Sequence, residues 1–130
     1  LFLYAIFGLA ATWALYALYM QIATRANEGR SAAPLYSAIP DLQDQPGRVL
    51  VYFTSPHCGP CRPMTADVDA LRAEGVAIHK LNVNDHPELA REMGIRATPT
   101  LMLVTKGSVS RVYLGVKSRK TILSLLQTED

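Results

Sequence analysis

Residues 48–61 read RVLVYFTSPHCGPC, and this stretch decides the predicted fold. Its first part, residues 48–54, is a run of β-branched and aromatic side chains that is typical of a buried strand. Cys58 and Cys61 follow at the start of a helical pattern over residues 58–73. A pair of cysteines therefore lies where a buried strand passes into a helix.

This position suits the pair to thiol chemistry. At a helix N-terminus, unpaired N–H groups and the helix dipole favour a negative charge, so the first cysteine of the pair becomes a thiolate more easily. Only the thiolate attacks a disulfide, and Cys61, one turn further on, is placed to resolve the mixed disulfide that results. Gly59 leaves room for a partner chain, and Pro60 restricts φ in the first turn. The motif predicts thiol-disulfide exchange.

A metal site is the alternative use of paired cysteines. A closed zinc site needs four ligands, and the chain has only two cysteines, Cys58 and Cys61. The other soft ligands are His57, His79 and His86. Zinc is therefore disfavoured, while copper held by both cysteines and one histidine remains an open alternative. We expect no metal and no cofactor.

The rest of the chain after residue 48 alternates between strand and helix patterns. The predicted strands cover residues 48–54, 76–83, 100–105 and 109–114, and the predicted helices cover residues 58–73, 87–93 and 118–127. Strands joined through a helix should be parallel, whereas the two strands around Lys106-Gly107-Ser108 should form an antiparallel hairpin. The pattern predicts an α/β domain with a mixed four-stranded sheet flanked by helices.

From about Val49 to Leu126, the chain resembles the thioredoxin family. Cys58-Gly59-Pro60-Cys61 is that family's active-site tetrapeptide. Thr98-Pro99 resembles the family's cis-proline loop, whose backbone lies against the cysteine pair and binds an extended substrate segment. The resemblance implies a thioredoxin-like fold and a thiol-disulfide oxidoreductase. Its redox group would be the Cys58-Cys61 disulfide. Its substrates would be disulfides of client proteins, and an upstream thiol electron donor would reduce it again.

Three positions depart from the family pattern, and a fourth keeps it but lacks its partner. Tyr52 stands where thioredoxins usually carry a buried aspartate that accepts the proton of the inner thiol, and a phenol is a poor proton acceptor near neutral pH. Lys80 resembles the lysine that pairs with that aspartate, but its usual partner is gone. We therefore expect slower proton transfer at Cys61, or a route through water. His57 replaces a tryptophan and is either a thiolate-favouring group or a variable rim residue. Thr54 replaces an aromatic residue, which points to a narrower range of clients.

The N-terminal residues 1–23 contain no charged side chain. As a helix this stretch would be roughly 34 Å long, enough to cross a bilayer core of about 30 Å. A cleaved signal peptide is the alternative, but the apolar region of such peptides typically has only about 7 to 15 residues. We therefore expect a single transmembrane helix, an anchor, over residues 1–23.

Residues 24–47 are rich in Ala, Pro, Ser and Gly and show no sustained helical or strand period. We predict a linker here, followed by the thioredoxin-like domain at residues 48–130. Four apolar side chains of the linker are candidates to pack against the domain as an abbreviated first element: Leu35, Tyr36, Ile39 and Leu42.

The location of the domain relative to the membrane follows from the resemblance rather than from charge. Arg25 and Arg30, beside Glu28, favour a cytoplasmic domain under the positive-inside rule. Tethered relatives usually face the periplasm, because a cytoplasmic thioredoxin gains little from an anchor. The resemblance implies a single-pass protein of the bacterial inner (cytoplasmic) membrane with a periplasmic domain.

The net charge of +2 is scattered along the chain and does not support a nucleic-acid partner. An alternative function is an accessory or assembly subunit of a larger membrane protein complex, with little redox turnover. The missing aspartate motivates this alternative. So do Gly8, Ala11 and Ala14, which are small enough to let a neighbouring helix approach.

Overall fold

The computed structural model describes residues 1–44 and 47–127. Its elements in chain order are α1 (Phe2–Arg25), α2 (Ala33–Ala38), a 3-10 helix (Pro40–Asp44), β1 (Arg48–Thr54), α3 (Cys61–Ala73), β2 (Ile78–Asn82), α4 (Pro87–Glu92), β3 (Thr100–Thr105), β4 (Ser108–Leu114) and α5 (Arg119–Gln127). Residues 45–46 of the predicted linker and 128–130 of the predicted domain lie outside the described residues.

The four strands form one mixed sheet in the order β2-β1-β3-β4. Strand β1 pairs in parallel with β2 and antiparallel with β3, and β3 and β4 form an antiparallel hairpin. The hairpin turn places Lys106 and Gly107 at φ values of 52° and 85°. Positive φ at both central residues matches the right-handed twist of the strands. The predicted mixed four-stranded sheet is confirmed.

Strand β1 is apolar along its length because it lies inside the sheet and is buried on both faces. Val49, Val51 and Phe53 belong to one core cluster, which α2 and α4 cover. Leu50 and Tyr52 belong to a second cluster, which α3 and α5 cover. Helices therefore flank both faces of the sheet, as predicted.

Helix α3 begins at Cys61 and not at Cys58, where the sequence pattern placed its start. Pro60 is the N-cap, with φ −61° and ψ −21°. Cys58 instead belongs to a turn in which its N–H donates to the Ser55 carbonyl at 3.2 Å. Cys58 therefore precedes the helix, and Cys61 opens its first turn.

Most of the predicted linker is folded against the sheet. It contains α2 and the 3-10 helix, and its side chains Ala32, Leu35 and Leu42 are at most 3% exposed. Tyr36 and Ile39 pack against the same core cluster. The physical reason is that α4, a helix of six residues, is too short to cover this face of the sheet alone. The segment therefore supplies the rest of the cover.

Residues 27–31, which we call the edge segment, connect α1 to this cover. The Gly29 N–H donates to the Val109 carbonyl at 2.7 Å, and the Val109 N–H donates to the Arg30 carbonyl at 2.8 Å. An antiparallel β-bridge follows at Ser31. The edge segment therefore pairs with the outer edge of β4, whose backbone groups would otherwise be open to another chain.

The edge segment also contacts the turn after α4. Asn27 is 4% exposed and donates its side-chain N–H to the Gly94 carbonyl at 2.9 Å. Arg30 donates a guanidinium N–H to the Glu92 carbonyl. The end of α1 is thereby joined to two different parts of the domain.

Gly94 provides a test of this junction. Its φ is +70°, and a Cβ atom there would lie 2.2 Å from Asn27 Oδ1. We expect Gly94→Ala to lower the free energy of unfolding by about 2–4 kcal/mol, because backbone strain and overpacking add. Pulse proteolysis in urea would measure the loss. The matched control is Gly75→Ala, at φ +90° with nothing within 4 Å of the added Cβ, which should lose only about 1–2 kcal/mol. Equal losses would contradict the packing of Asn27 on Gly94.

Candidate active site

The site is a disulfide between Cys58 and Cys61, whose Cα atoms are 5.3 Å apart. Cys61 is 2% exposed, whereas Cys58 is only half-buried and its neighbours Gly59 and Pro60 are exposed. The two sulfurs are therefore unequal. An incoming sulfur can reach Cys58 from outside, while Cys61 lies behind it in the first turn of α3.

Backbone groups surround the outer sulfur. The Cys61 N–H donates to Cys58 Sγ at 3.2 Å. The Thr98 carbonyl oxygen lies 3.6 Å from the same sulfur. After reduction, an N–H at this distance would stabilise a thiolate on Cys58, because a hydrogen bond to a charged acceptor is stronger than one to a neutral acceptor. The arrangement favours Cys58 as the attacking group.

Hydrogen bonds to the residues on either side of Thr98 hold its loop in place. The Thr98–Pro99 peptide bond is cis. The Gly115 N–H donates to the Pro99 carbonyl at 3.0 Å, and Thr100 Oγ1 donates to the Ala97 carbonyl at 2.7 Å. Pro99 itself is buried. These contacts keep the loop against the disulfide.

Tyr52, where the family pattern has a carboxylate, is completely buried. Its hydroxyl oxygen lies 2.8 Å from Thr65 Oγ1, and it donates to the Cys61 carbonyl at 3.3 Å. The side chain therefore ties β1 to the first turns of α3, directly beneath the inner cysteine. In this arrangement Tyr52 positions the helix that carries Cys61.

Lys80 lacks the buried aspartate that pairs with it in the family pattern, but it forms an ion pair with another carboxylate. Its Nζ lies 2.9 Å from Asp69 Oδ1, and the two side chains are 33% and 48% exposed. Cys61, Thr65 and Asp69 follow one another at intervals of four residues, so they share one face of α3. This face lies over Tyr52 and Lys80, which explains both contacts.

A cleft of about 560 Å³ opens beside the disulfide. Both cysteines line it, together with the polar side chains of Thr65, Lys80 and Asp85. It is large and polar enough to hold water next to the inner cysteine. Thr54 and His86 also lie on its wall.

The three histidines lie in different surroundings, and His86 is the one on the wall of the cleft. His57 is exposed and, among the described residues, makes no hydrogen bond or ion pair. His79 lies opposite Val51 in the sheet, on the face away from α3. Burial lowers the pKa of His79, the nearby Arg72 lowers it further, and Asp41 opposes both. Across residues 1–44 and 47–127, no three His, Cys, Asp or Glu side chains are grouped to hold a metal ion.

The fold and this site define a class of protein. A disulfide at the junction of a central strand and a helix, with one sulfur accessible and a cis-proline loop beside it, is a dithiol redox centre. The thioredoxin family model matches residues 39–128 of the chain. The chain therefore belongs to the thioredoxin family and is a thioredoxin-type disulfide oxidoreductase.

Individual relatives agree with this assignment. The chain is 40% identical to a thioredoxin from Porphyra purpurea over 81 residues, which are 60% of this chain and 76% of the relative. It is 38% identical to a thioredoxin from Synechocystis sp. over 90 residues, which are 67% of this chain and 84% of the relative. A solved structure of a mutant thioredoxin from Halobacterium salinarum superposes with a TM-score of 0.61 at 27% identity, covering 67% of this chain and 78% of the other.

Sequence reasoning missed two residues of the site, Thr65 and Asp69. Their spacing from Cys61 was a usable signal, because positions four and eight after it fall on the same helix face. What the spacing could not show was which residues of the sheet this face covers.

The contacts of Tyr52 lead to a test. We expect Tyr52→Phe and Thr65→Val each to lower the free energy of unfolding by about 1 kcal/mol, because each removes one partner of a part-buried hydrogen bond. The double variant should lose less than the sum, with a coupling of about 0.5–1 kcal/mol. Urea unfolding monitored by pulse proteolysis would measure all three. Tyr36→Phe is the control and should change stability by less than about 0.5 kcal/mol. Strictly additive losses would contradict the contact.

Proposed function

We propose that this protein is a membrane-tethered thiol-disulfide oxidoreductase that reduces disulfides of client proteins. The observation that carries the proposal is the unequal disulfide, with Cys58 accessible and Cys61 2% exposed, on a chain whose long apolar helix is uncovered. The reduced form of the pair would be the active reductant, and the disulfide seen in the structure is its product.

The reaction passes two electrons to the client. The Cys58 thiolate attacks one sulfur of the client disulfide, and the other client sulfur leaves as a thiolate that takes a proton from solvent. Cys61 then loses its proton and attacks Cys58 Sγ, which breaks the mixed disulfide and releases the second client thiolate. The Cys58–Cys61 disulfide forms in that step, and an upstream dithiol donor must reduce it again.

The cis-proline loop supports this assignment of roles. Because the Thr98 carbonyl lies 3.6 Å from Cys58 Sγ, an extended client segment lying along Thr98-Pro99 would bring its sulfur to the attacking group. Exposed Gly59 leaves space on the opposite side. We propose that these residues bind the client backbone and not a particular client side chain.

The proton of Cys61 is proposed to leave through the cleft. Tyr52 is occupied in holding α3, and its hydroxyl lies against the Cys61 carbonyl and not against the sulfur. The polar groups that line the cleft together with the inner cysteine include Lys80, which is paired with Asp69. Water in the cleft would link Cys61 to these groups and to solvent.

Helix α1 supports the membrane tether. It has 24 residues with a mean hydropathy of 1.6 over its most apolar window, and none of that window is buried. Its exposed side chains include Phe2, Phe7, Trp13 and Leu15, each more than 65% exposed. An exposed apolar surface of this size marks contact with another apolar phase. We propose that α1 is a single-pass anchor in the bacterial inner membrane, with the domain on the periplasmic side.

Redox activity is tested with the full-length chain in detergent. We expect insulin disulfides to be reduced in the presence of dithiothreitol, and Cys58→Ser to lower the rate to the level without protein, because the attacking sulfur is lost. Cys61→Ser should instead accumulate a mixed disulfide with the client, visible on a non-reducing gel. A wild-type rate equal to that of Cys58→Ser would contradict the proposal and favour the assembly-subunit alternative.

Topology is tested by labelling in intact cells. Lys120 is exposed on α5, so Lys120→Cys in the Cys58→Ser, Cys61→Ser background carries one accessible thiol. We expect a membrane-impermeant maleimide to label it without permeabilisation, because the domain lies outside the inner membrane. Permeabilised cells provide the control for total thiol. Labelling only after permeabilisation would place the domain in the cytoplasm.

A further inference from the structure

The end of α1 is part of the folded domain and not a free stalk. Thr24 is 7% exposed and Asn27 is 4% exposed. Gln21 and Thr24 line a small cavity together with Val112 and Leu114 of β4. The hydrogen bonds of the edge segment follow directly along the chain, and the first of them joins the Asn27 side chain to the Gly94 carbonyl. Contacts with the domain therefore begin within α1 and continue through the edge segment.

The edge segment shows which end of the sheet α1 meets. Glu28 Oε1 accepts a hydrogen bond from the Val112 N–H at 3.2 Å, and the chain then passes Val109 and reaches Gly107, whose carbonyl accepts from the Ala32 N–H at 2.9 Å. The chain therefore runs from the C-terminal end of β4 towards its N-terminal end. Helix α1 enters at the C-terminal end.

The disulfide lies at this same end of the sheet. Strand pairing places Leu114 of β4 opposite Thr100 of β3, and Thr100 opposite Phe53 of β1. Phe53 is near the end of the strand that leads to Cys58, and Thr100 directly follows the cis-proline loop. The end of β4 that meets α1 and the end of β1 that leads to the active site are therefore neighbours.

A direct contact joins the active-site loop to α1. The Arg96 guanidinium lies 5.9 Å from the centre of the Tyr19 ring, and it donates to the Tyr19 hydroxyl at 3.4 Å. Thr98 is two positions after Arg96, and two residues of chain cover at most about 7 Å. Tyr19 lies near the polar end of α1, where tyrosine is enriched at the membrane interface.

We propose that the junction of α1 with β4 and Arg96 holds the Cys58–Cys61 site at the membrane-facing end of the domain, so that its clients are disulfides of membrane-anchored proteins close to the lipid headgroups. This inference rests on the proposed tether and redox function. The opposite pole of the domain, at the Lys106-Gly107 hairpin turn, points away from the membrane. Strand β4 has seven residues, which separate the two poles by roughly 20 Å.

The position of the site is tested with the full chain in lipid nanodiscs. A donor dye is placed on Cys58 in the Cys61→Ser variant, or at the far pole with Lys106→Cys in the Cys58→Ser, Cys61→Ser background. The acceptor dye is on the lipid headgroups, in a pair with a short Förster distance. We expect clearly stronger energy transfer from Cys58 than from the far pole. Equal or stronger transfer from the far pole would overturn the inference, and no transfer from either would overturn the tether as well.

The same assay tests the rigid junction. Inserting a flexible Gly/Ser stretch of a dozen residues between Ala26 and Asn27 leaves the edge segment and its hydrogen bonds in place, but releases the domain from α1. We expect transfer from Cys58 to fall to the level of the far pole. Unchanged transfer would show that the junction does not hold the site at the membrane.

The client class is tested with one disulfide peptide in three forms: free in solution, or attached to a transmembrane helix in the same liposomes by a short or a long spacer. A short spacer of six residues reaches about 20 Å. We expect the native chain to reduce the short-spacer form several-fold faster than the long-spacer form, and the insertion variant to lose this preference. Equal rates for both anchored forms, with the free peptide still reduced, would overturn the client class alone. No reduction of any of the three forms would overturn the redox function itself.

Discussion

Strand β1 is the element on which the rest of this structure depends. It is hydrogen-bonded on both sides, to β2 and β3, and its side chains enter the two core clusters alternately. A strand of this kind cannot shift by one residue without turning every apolar side chain to the other face. Its last residue, Thr54, is therefore at a definite place, and so is the turn that carries Cys58. The central strand therefore fixes the position of the redox site.

Tyr52 shows how the same strand also shapes the chemistry. It lies beneath the inner cysteine and bonds to Thr65 and to the Cys61 carbonyl, so it holds α3 on the sheet by hydrogen bonds that carry no charge. A buried carboxylate here would be costly to desolvate but could accept a proton. The tyrosine avoids that cost and gives up the proton acceptor. The open polar cleft, lined by the Lys80 that pairs with Asp69, is the proposed route between Cys61 and solvent.

The second organising feature is the edge of β4. In many sheets an open edge is a risk for pairing with another chain. Here residues 27–31 cover it, and the same residues are the continuation of the apolar helix. One short segment therefore covers the edge of the sheet and sets the orientation of the domain relative to α1. Because the covered edge ends beside the cis-proline loop, the position of α1 and the geometry of the active site are linked.

The sequence by itself determined the four strands, the mixed sheet, the cysteine pair and the apolar helix, because each depends on local periodicity or on neighbouring residues. It misplaced the start of α3 and missed α2 and the 3-10 helix. Only the tertiary structure decided the rest. The pairing of Lys80 with Asp69 depends on how α3 lies over β2, and the contact of Arg96 with Tyr19 joins residues 77 positions apart. Residues 24–47 looked like a linker because their apolar positions follow no period. Residues 27–44 of this segment are folded because the sheet leaves one face and one edge uncovered, a requirement that appears only after the strands have paired.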